Sequence, residues 1–297
     1  RLARVAIGTA PTGVMTTAPV NDHRGALGTV AEIHAANELA MQVWRQNEAV
    51  CAEYLGGRGF DLARVAAAGF PVGHAAADGA VCTTLASHGF PLRVALAAGL
   101  IRVNVRGDFV DVFRDRLMFP VRNVHDGSIA GFTGRALPWA HESAPRWLNS
   151  RTTRAFHKGE LLYGLWEARR TIDQRRGRLA ALVVCEGPLD AIAAAVACPV
   201  TAVAPAGTAM TQTQAQWIAD LATAAGLPIV VACDGDEAGQ RAAEKSSELI
   251  AASSAQAKVT VATLPVGEDP ASLSASDAQT LCALIVDGNA GSQALRR

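Results

Sequence analysis

Leu179-Ala-Ala-Leu-Val-Val-Cys185, running straight into Glu186-Gly-Pro-Leu-Asp190, is the stretch from which the fold can be read. Its apolar residues do not alternate with polar ones, as a strand with one wet face would, so the segment reads as a strand covered on both sides. The same unit recurs downstream. Ala191 to Ala197 is a helix of small residues, Thr201 to Ala204 a strand, Thr211 to Ala225 a helix opening at a threonine cap, and Ile229 to Cys233 another strand without alternation. Glu237 to Ala252 adds a helix and Lys258 to Leu264 a fourth strand. Strands separated by helices build a parallel sheet with helices on both faces, a doubly wound α/β module. Such sheets take ligands beyond the carboxyl ends of their strands.

Carboxylates gather at that edge. Glu186 follows one strand directly and Asp190 opens the next helix; Asp234-Gly235-Asp236-Glu237-Ala238-Gly239 follows another strand; Gly267-Glu268-Asp269-Pro270 follows the last. Taken singly, Asp190 and Asp236 can be helix caps and Asp269 a turn residue. Taken together, acids at three strand ends of one sheet repel one another unless a cation neutralises them, and a hard divalent ion is the cation such a set suits. Magnesium, with manganese as substitute, keeps waters and completes its octahedron with substrate phosphates. It can both activate a hydroxyl and stabilise a departing oxyanion.

Charge along the chain supports a division of labour. The 297 residues carry no net charge, yet residues 101–178 hold 15 basic and 8 acidic side chains while residues 179–297 hold 5 and 12. A basic block beside an acidic one suits a protein that grips a polyanion with one part and a cation with the next. At 50% hydrophobic residues the chain has ample material for a core without staples. The six cysteines are far apart and no His or Cys pair has zinc-ligand spacing, so no zinc site is expected. No apolar run is long enough to span a bilayer and the first residues lack the order of a secretory signal, so the expectation is a cytoplasmic protein without a membrane partner.

Upstream of the sheet, residues 1–28 read as a leader or linker. Ile33, Ala36, Ala40, Val43 and Trp44 recur at helical spacing, with short helices expected as far as Gly99. From Ile101 to Leu137 alternating and β-branched residues, with a tight turn at Asp126-Gly127, predict a small antiparallel sheet. Leu161 to Ile172 reads as helix and Asp173 to Arg178 as a boundary. The resulting division is 29–177 for an α+β subdomain, 178–268 for the doubly wound sheet and 269–297 for the start of a C-terminal helical segment.

Glu186 with Asp190, then Asp234-Gly235-Asp236, resembles the Toprim metal-binding signature shared by bacterial-type primases, topoisomerases, and some nucleases and recombination proteins. Upstream, Asp115-Arg-Leu-Met-Phe-Pro120, Gly131-Phe-Thr-Gly-Arg135, Arg146-Trp-Leu-Asn-Ser150 and Phe156-His-Lys-Gly-Glu-Leu-Leu-Tyr-Gly164 resemble, in order and spacing, motifs of the DnaG-type primase catalytic core. Ala206-Gly207-Thr208 and Leu264 to Pro270 continue the likeness, which covers roughly residues 30–275. The fold it implies is a Toprim sheet preceded by an α+β, primase-type basic subdomain.

The resemblance implies that Glu186, Asp190, Asp234, Asp236 and Asp269 are metal ligands, with Glu186, Asp234 and Asp236 catalytic. It implies that Arg116, Arg135, Arg146, Asn149 and Lys158 contact nucleotide or DNA. The activity implied is synthesis of short RNA primers from ribonucleoside triphosphates on single-stranded DNA in replication, with a replicative helicase or single-strand binding protein as a further candidate partner. His157 reads more readily as a structural histidine than as a catalytic one.

Three departures stand out. Ala271 occupies the position where the family usually has a second acid after the one matching Asp269, and Glu186-Gly-Pro-Leu-Asp190 changes the middle of that motif. The family's zinc ribbon has no match here. A non-catalytic primase-like binding module and a Toprim nuclease remain the alternatives. A topoisomerase is disfavoured because the only tyrosines, Tyr54 and Tyr163, fall in a scaffold helix and in a primase-like motif.

Overall fold

The computed structural model describes residues 28–207 and 209–294, with side chains to residue 286. Apart from Gly28, the expected leader lies outside the described residues, as does Thr208. The first helix, α1 (Val30–Arg45), opens on a capping box in which Thr29 and Glu32 satisfy each other's backbone N–H groups. After it come α2 (Glu48–Gly56), α3 (Leu62–Ala67), β1 (Gly73–Ala75), α4 (Ala80–Ser87) and α5 (Leu92–Ala98). Next are β2 (Ile101–Val103) and β3 (Phe109–Asp111), a two-stranded ribbon, then β4 (Arg116–Arg122), β5 (Ile129–Ala136) and β6 (Trp147–Asn149). The second half holds β7 (Leu162–Tyr163), α6 (Leu165–Gln174), β8 (Leu182–Val184), α7 (Pro188–Ala197), β9 (Thr201–Pro205) and α8 (Gln212–Ala225). It ends with β10 (Ile229–Val231), α9 (Glu237–Ser253), β11 (Val259–Val261) and α10 (Pro270–Ala294).

The expected antiparallel sheet exists, in the order β1-β4-β5-β6, but Ile101 to Asp111, read as its beginning, pairs as the separate β2-β3 ribbon, and β1 from upstream takes the edge instead. Three buried residues without alternation make β1, so nothing in its pattern separates it from the helices around it. Pro120 is tolerated inside β4 because β1 pairs only with Arg116 to Met118, leaving no ladder bond for proline to break on that side. The sheet is covered on both faces. Met118, Ile129 and Phe132 pack under α1, α4 and α5, while Leu117, Phe119 and Val121 share a core with Tyr163, Val183 and α7.

The second sheet runs β11-β10-β8-β9-β7, parallel through its first four strands. Helices α7 and α10 cover one face, and α6, α8 and α9 the other, as a doubly wound module requires. Leu162-Tyr163, read as the start of a helix, forms a strand antiparallel to β9, so the sheet recruits residues well upstream of position 178 and α6 lies against it. Two residues cannot carry a period, and the glycine after them, Gly164, resets the chain before the helix. All six cysteines are free, and no described helix is long and apolar enough to cross a membrane.

Candidate active site at the carboxyl edge of the parallel sheet

The register between strands aligns Val184 with Val231 on one side and Val203 on the other, so the chain leaves β8, β9 and β10 at one edge. Glu186 stands two residues past β8 and Asp234 three past β10, and the backbone N–H of Asp234 donates to Glu186 Oε1 at 3.3 Å. Two glycines make the Asp234 turn possible. A Cβ on Gly235 would sit 2.0 Å from the Pro265 carbonyl oxygen, and one on Gly239 would sit 2.2 Å from that of Asp234. The Gly235 N–H donates to the Glu268 carbonyl at 2.8 Å, which draws the loop carrying Asp269 to the same edge.

Like charge accumulates there. Asp190 is pushed up to about 7 by desolvation first, then by Asp269, Asp234 and Glu186. Asp234 is pushed up to about 6 by desolvation, then by Glu186, Asp269 and Asp236, with Arg146 opposing the shift. The expected acids therefore do sense one another. Two also perform the plainer roles open to them: Asp236 caps α9 by accepting from the Gly239 N–H at 2.7 Å, and Asp269 Oδ1 accepts from the Ser272 N–H. Ala271, where a second acid is usual, has its backbone close enough to Asp190 to offset part of that rise. Ser272 is engaged with Glu268 and Asp269.

Among the described residues no three His, Cys, Asp or Glu side chains converge closely enough to cage an ion. The donor set nonetheless fits a hard cation: mutually repelling carboxylates at one edge, of which one or two suffice for an ion that keeps waters and takes its remaining ligands from phosphate.

Opposite the acids lies a cluster of cations. Arg135, on β5, is nearly buried, with its guanidinium 5.3 Å from the Trp147 ring centroid. Desolvation lowers its pKa, as do the neighbouring charges of Arg146 and Arg58, while nearby Tyr54 opposes the shift. Arg58 in turn lies 5.4 Å over the Tyr54 ring. The sequence reading assigns Tyr54 to scaffold and no role to Arg58, whose only signal is its place between Gly57 and Gly59, an arginine in a glycine turn.

Exposed Arg146 is the hinge of the arrangement, an electrostatic neighbour of both Arg135 and Asp234. Lys158 Nζ donates to the Gly207 carbonyl at 3.4 Å and Asn149 Nδ2 to that of Ala206 at 3.0 Å, so both reach the carboxyl end of β9. Asn149 Oδ1 is buried without a partner. Arg116 is placed differently: it is buried, with Nη1 donating to the carbonyls of Gly134 and Pro145, which ties β5 to the turn before β6. His157 is half-exposed, with Nδ1 4.0 Å from Glu160.

Residues 39–169 match the family model described as DNA primase catalytic core, N-terminal domain, and residues 183–274 match that described as Toprim-like. The DNA primase of Geobacillus stearothermophilus is 38% identical over 202 residues, covering 68% of this chain and 31% of that relative. The crystal structure of a DNA primase domain from Pseudomonas aeruginosa is 33% identical with a TM-score of 0.66, covering 82% of this chain and 75% of that one. A DnaG primase catalytic domain solved bound to single-stranded DNA is 29% identical with a TM-score of 0.69, covering 83% and 77%. The chain spans 31% to 40% of the length of the first curated relatives it matches.

Proposed function

The chain belongs to the DnaG-type primase catalytic-core family, and from that premise we propose that it synthesises short RNA primers on single-stranded DNA from ribonucleoside triphosphates. The observation that carries this reading is the junction at Arg146, where the carboxylates that push Asp190 and Asp234 up meet a cluster of arginines. An edge that repels itself on one side and attracts phosphate on the other is organised for a phosphoryl transfer governed by positioning and charge.

In the proposed reaction the primer 3′-hydroxyl oxygen forms a bond to the α-phosphorus of the incoming nucleotide, the bond to the pyrophosphate oxygen breaks, and the hydroxyl proton departs. Glu186, Asp190, Asp234, Asp236 and Asp269 would hold divalent metal, with magnesium the proposed ion. When bound, that ion supplies Lewis-acid stabilisation of the charge developing on the phosphate oxygens.

In this reading Glu186 assists departure of the hydroxyl proton or completes the metal shell. Arg146 and Lys158 orient the triphosphate, for which a guanidinium fork and an ammonium are both suited. Arg135 and Arg58 extend the cationic bed toward the template. Asn149 offers its unpartnered oxygen to a nucleotide donor, and Arg116 acts by fixing the strand that carries Arg135. In this division residues 29–177 bind nucleotide and template, 178–268 carry the metal site, and 269–297 begin a helical segment. The proposed place of action is the cytoplasm.

Incubation with labelled ribonucleotides, single-stranded DNA and magnesium tests the reading. Extended RNA product from the native chain, lost in Asp234→Ala, is the expected result. Shortening of the DNA would make the protein a nuclease, and DNA binding without either product would make it a non-catalytic module; each outcome overturns the proposal.

A further inference from the structure

At the amino end of the parallel strands, away from the acids, a cavity of about 350 Å³ opens between the end of α6, the lead into β8 and the end of α8. Its floor is apolar, formed by Ile172, Leu221 and Leu227, and its rim is formed by Arg169, Arg175 and Arg176. The rim belongs to the run Arg169 to Arg178, which carries five arginines and one acid, Asp173. All five arginines are exposed. Among the described residues their only ion pair is Arg176 with Asp173 at 3.4 Å, between two well-exposed side chains where such a pair is weak. Arg169 also donates to the Val124 carbonyl at 3.3 Å.

The proposed reaction makes no use of this patch. Helix ends do favour cations, since α6 and α8 both point their carbonyl ends here, but Gly226 already closes α8 through bonds to Ala222 and Thr223. Five arginines exceed what two helix termini require. A guanidinium rim offers paired donors that match phosphate oxygens, and the apolar floor offers a surface against which a flat ring can lie. The volume is that of a small-molecule site, near the lower end of the usual range of roughly 300–1,000 Å³.

We propose that this cavity is a second nucleotide site, which takes a nucleoside polyphosphate with its base on Ile172, Leu221 and Leu227 and its phosphates on Arg169, Arg175 and Arg176. It shares no residue with the acidic edge. Binding there depends on the arginines and is independent of divalent metal.

Calorimetry on the full chain carrying Asp234→Ala, in EDTA, isolates this site from metal-dependent uptake. ATP should bind with one equivalent per chain, inorganic tripolyphosphate more weakly and adenosine not measurably. In the same background Arg175→Ala/Arg176→Ala should weaken ATP by about tenfold or more, because each substitution removes a guanidinium partner of the phosphates. An unchanged melting temperature would show the variant folded, and Arg175→Lys/Arg176→Lys should restore part of the affinity. Absence of ATP uptake overturns the proposal, as does uptake indifferent to these arginines. If the arginine substitutions weaken a single-stranded oligonucleotide and leave ATP unaffected, the patch is a strand contact and the nucleotide site is refuted.

Discussion

At the scale of single residues, the informative groups are those whose surroundings oppose their charge. Asp234 keeps like-charged company, so removing its charge should strengthen the metal-free protein while destroying its chemistry. In EDTA at pH 8, Asp234→Asn is expected to gain on the order of 1–2 kcal/mol, a discounted conversion of its pKa displacement, and to lose primer synthesis. A variant that melts lower than the native chain would contradict this.

Glu167 on α6 offers a second case, remote from the acidic edge. It is almost fully buried, Arg122 lies 3.4 Å away, one of its oxygens has no partner, and burial pushes it up to about 7 from an ordinary 4.5. The folded state therefore holds a proton that the unfolded chain has released between pH 4.5 and about 7. Stability must fall as pH rises through that window, by roughly 3 kcal/mol in total, and this contribution is constant on either side. Urea midpoints at pH 5 and pH 8 in EDTA should lie closer together in Glu167→Gln than in the native chain. Equal spacing would remove Glu167 from the account.

At the scale of elements, the turn after β10 shows how a motif becomes a shape. A methyl on Gly235 would meet the Pro265 carbonyl, which is backbone and cannot rotate aside. Gly235→Ala should therefore cost about 2 kcal/mol or more and displace the Asp269 loop, whereas Gly56→Ala, with nothing within 4 Å, should be neutral or slightly stabilising. Thermal melts of the two variants test the contrast. The parallel strands and their helices were legible because a buried strand writes itself as an apolar run and a buried helix as a small-residue one. Thr211, legible as a cap, opens α8 in a capping box with Gln214. What escaped was short or borrowed: β1 has no alternation to reveal it, and β7 is held by a partner about forty residues downstream. Arg58 escaped for a similar reason, since its role depends on Tyr54 and Arg135, which the chain brings together only on folding.

At the scale of the whole molecule, the two sheets are not separate bodies joined by a linker. One core runs through Leu117, Phe119 and Val121 of the first sheet, Tyr163 on the strand lent to the second, and Val183 and Ala202 within it. Gln214, fully buried on α8, donates to the carbonyls of Lys158 and Leu161 and so fastens the connecting segment to the second sheet. Removing either half would expose the apolar face of the other, at a cost near 25 cal/mol per Å² uncovered, so neither should persist alone. The chain is therefore expected to unfold in a single transition despite its two sheets, where independent modules would give two. Trp44 reports on the core beneath α1 and Trp217 on α8, and the other tryptophans can be replaced by phenylalanine to leave one reporter at a time. Urea titrations followed at each reporter should superimpose in midpoint and slope. Two resolved transitions would mean that the shared core is too weak to couple the sheets. In that event the junction at Arg146, where acids and arginines meet, would have to be assembled by nucleic acid or nucleotide rather than by the fold itself.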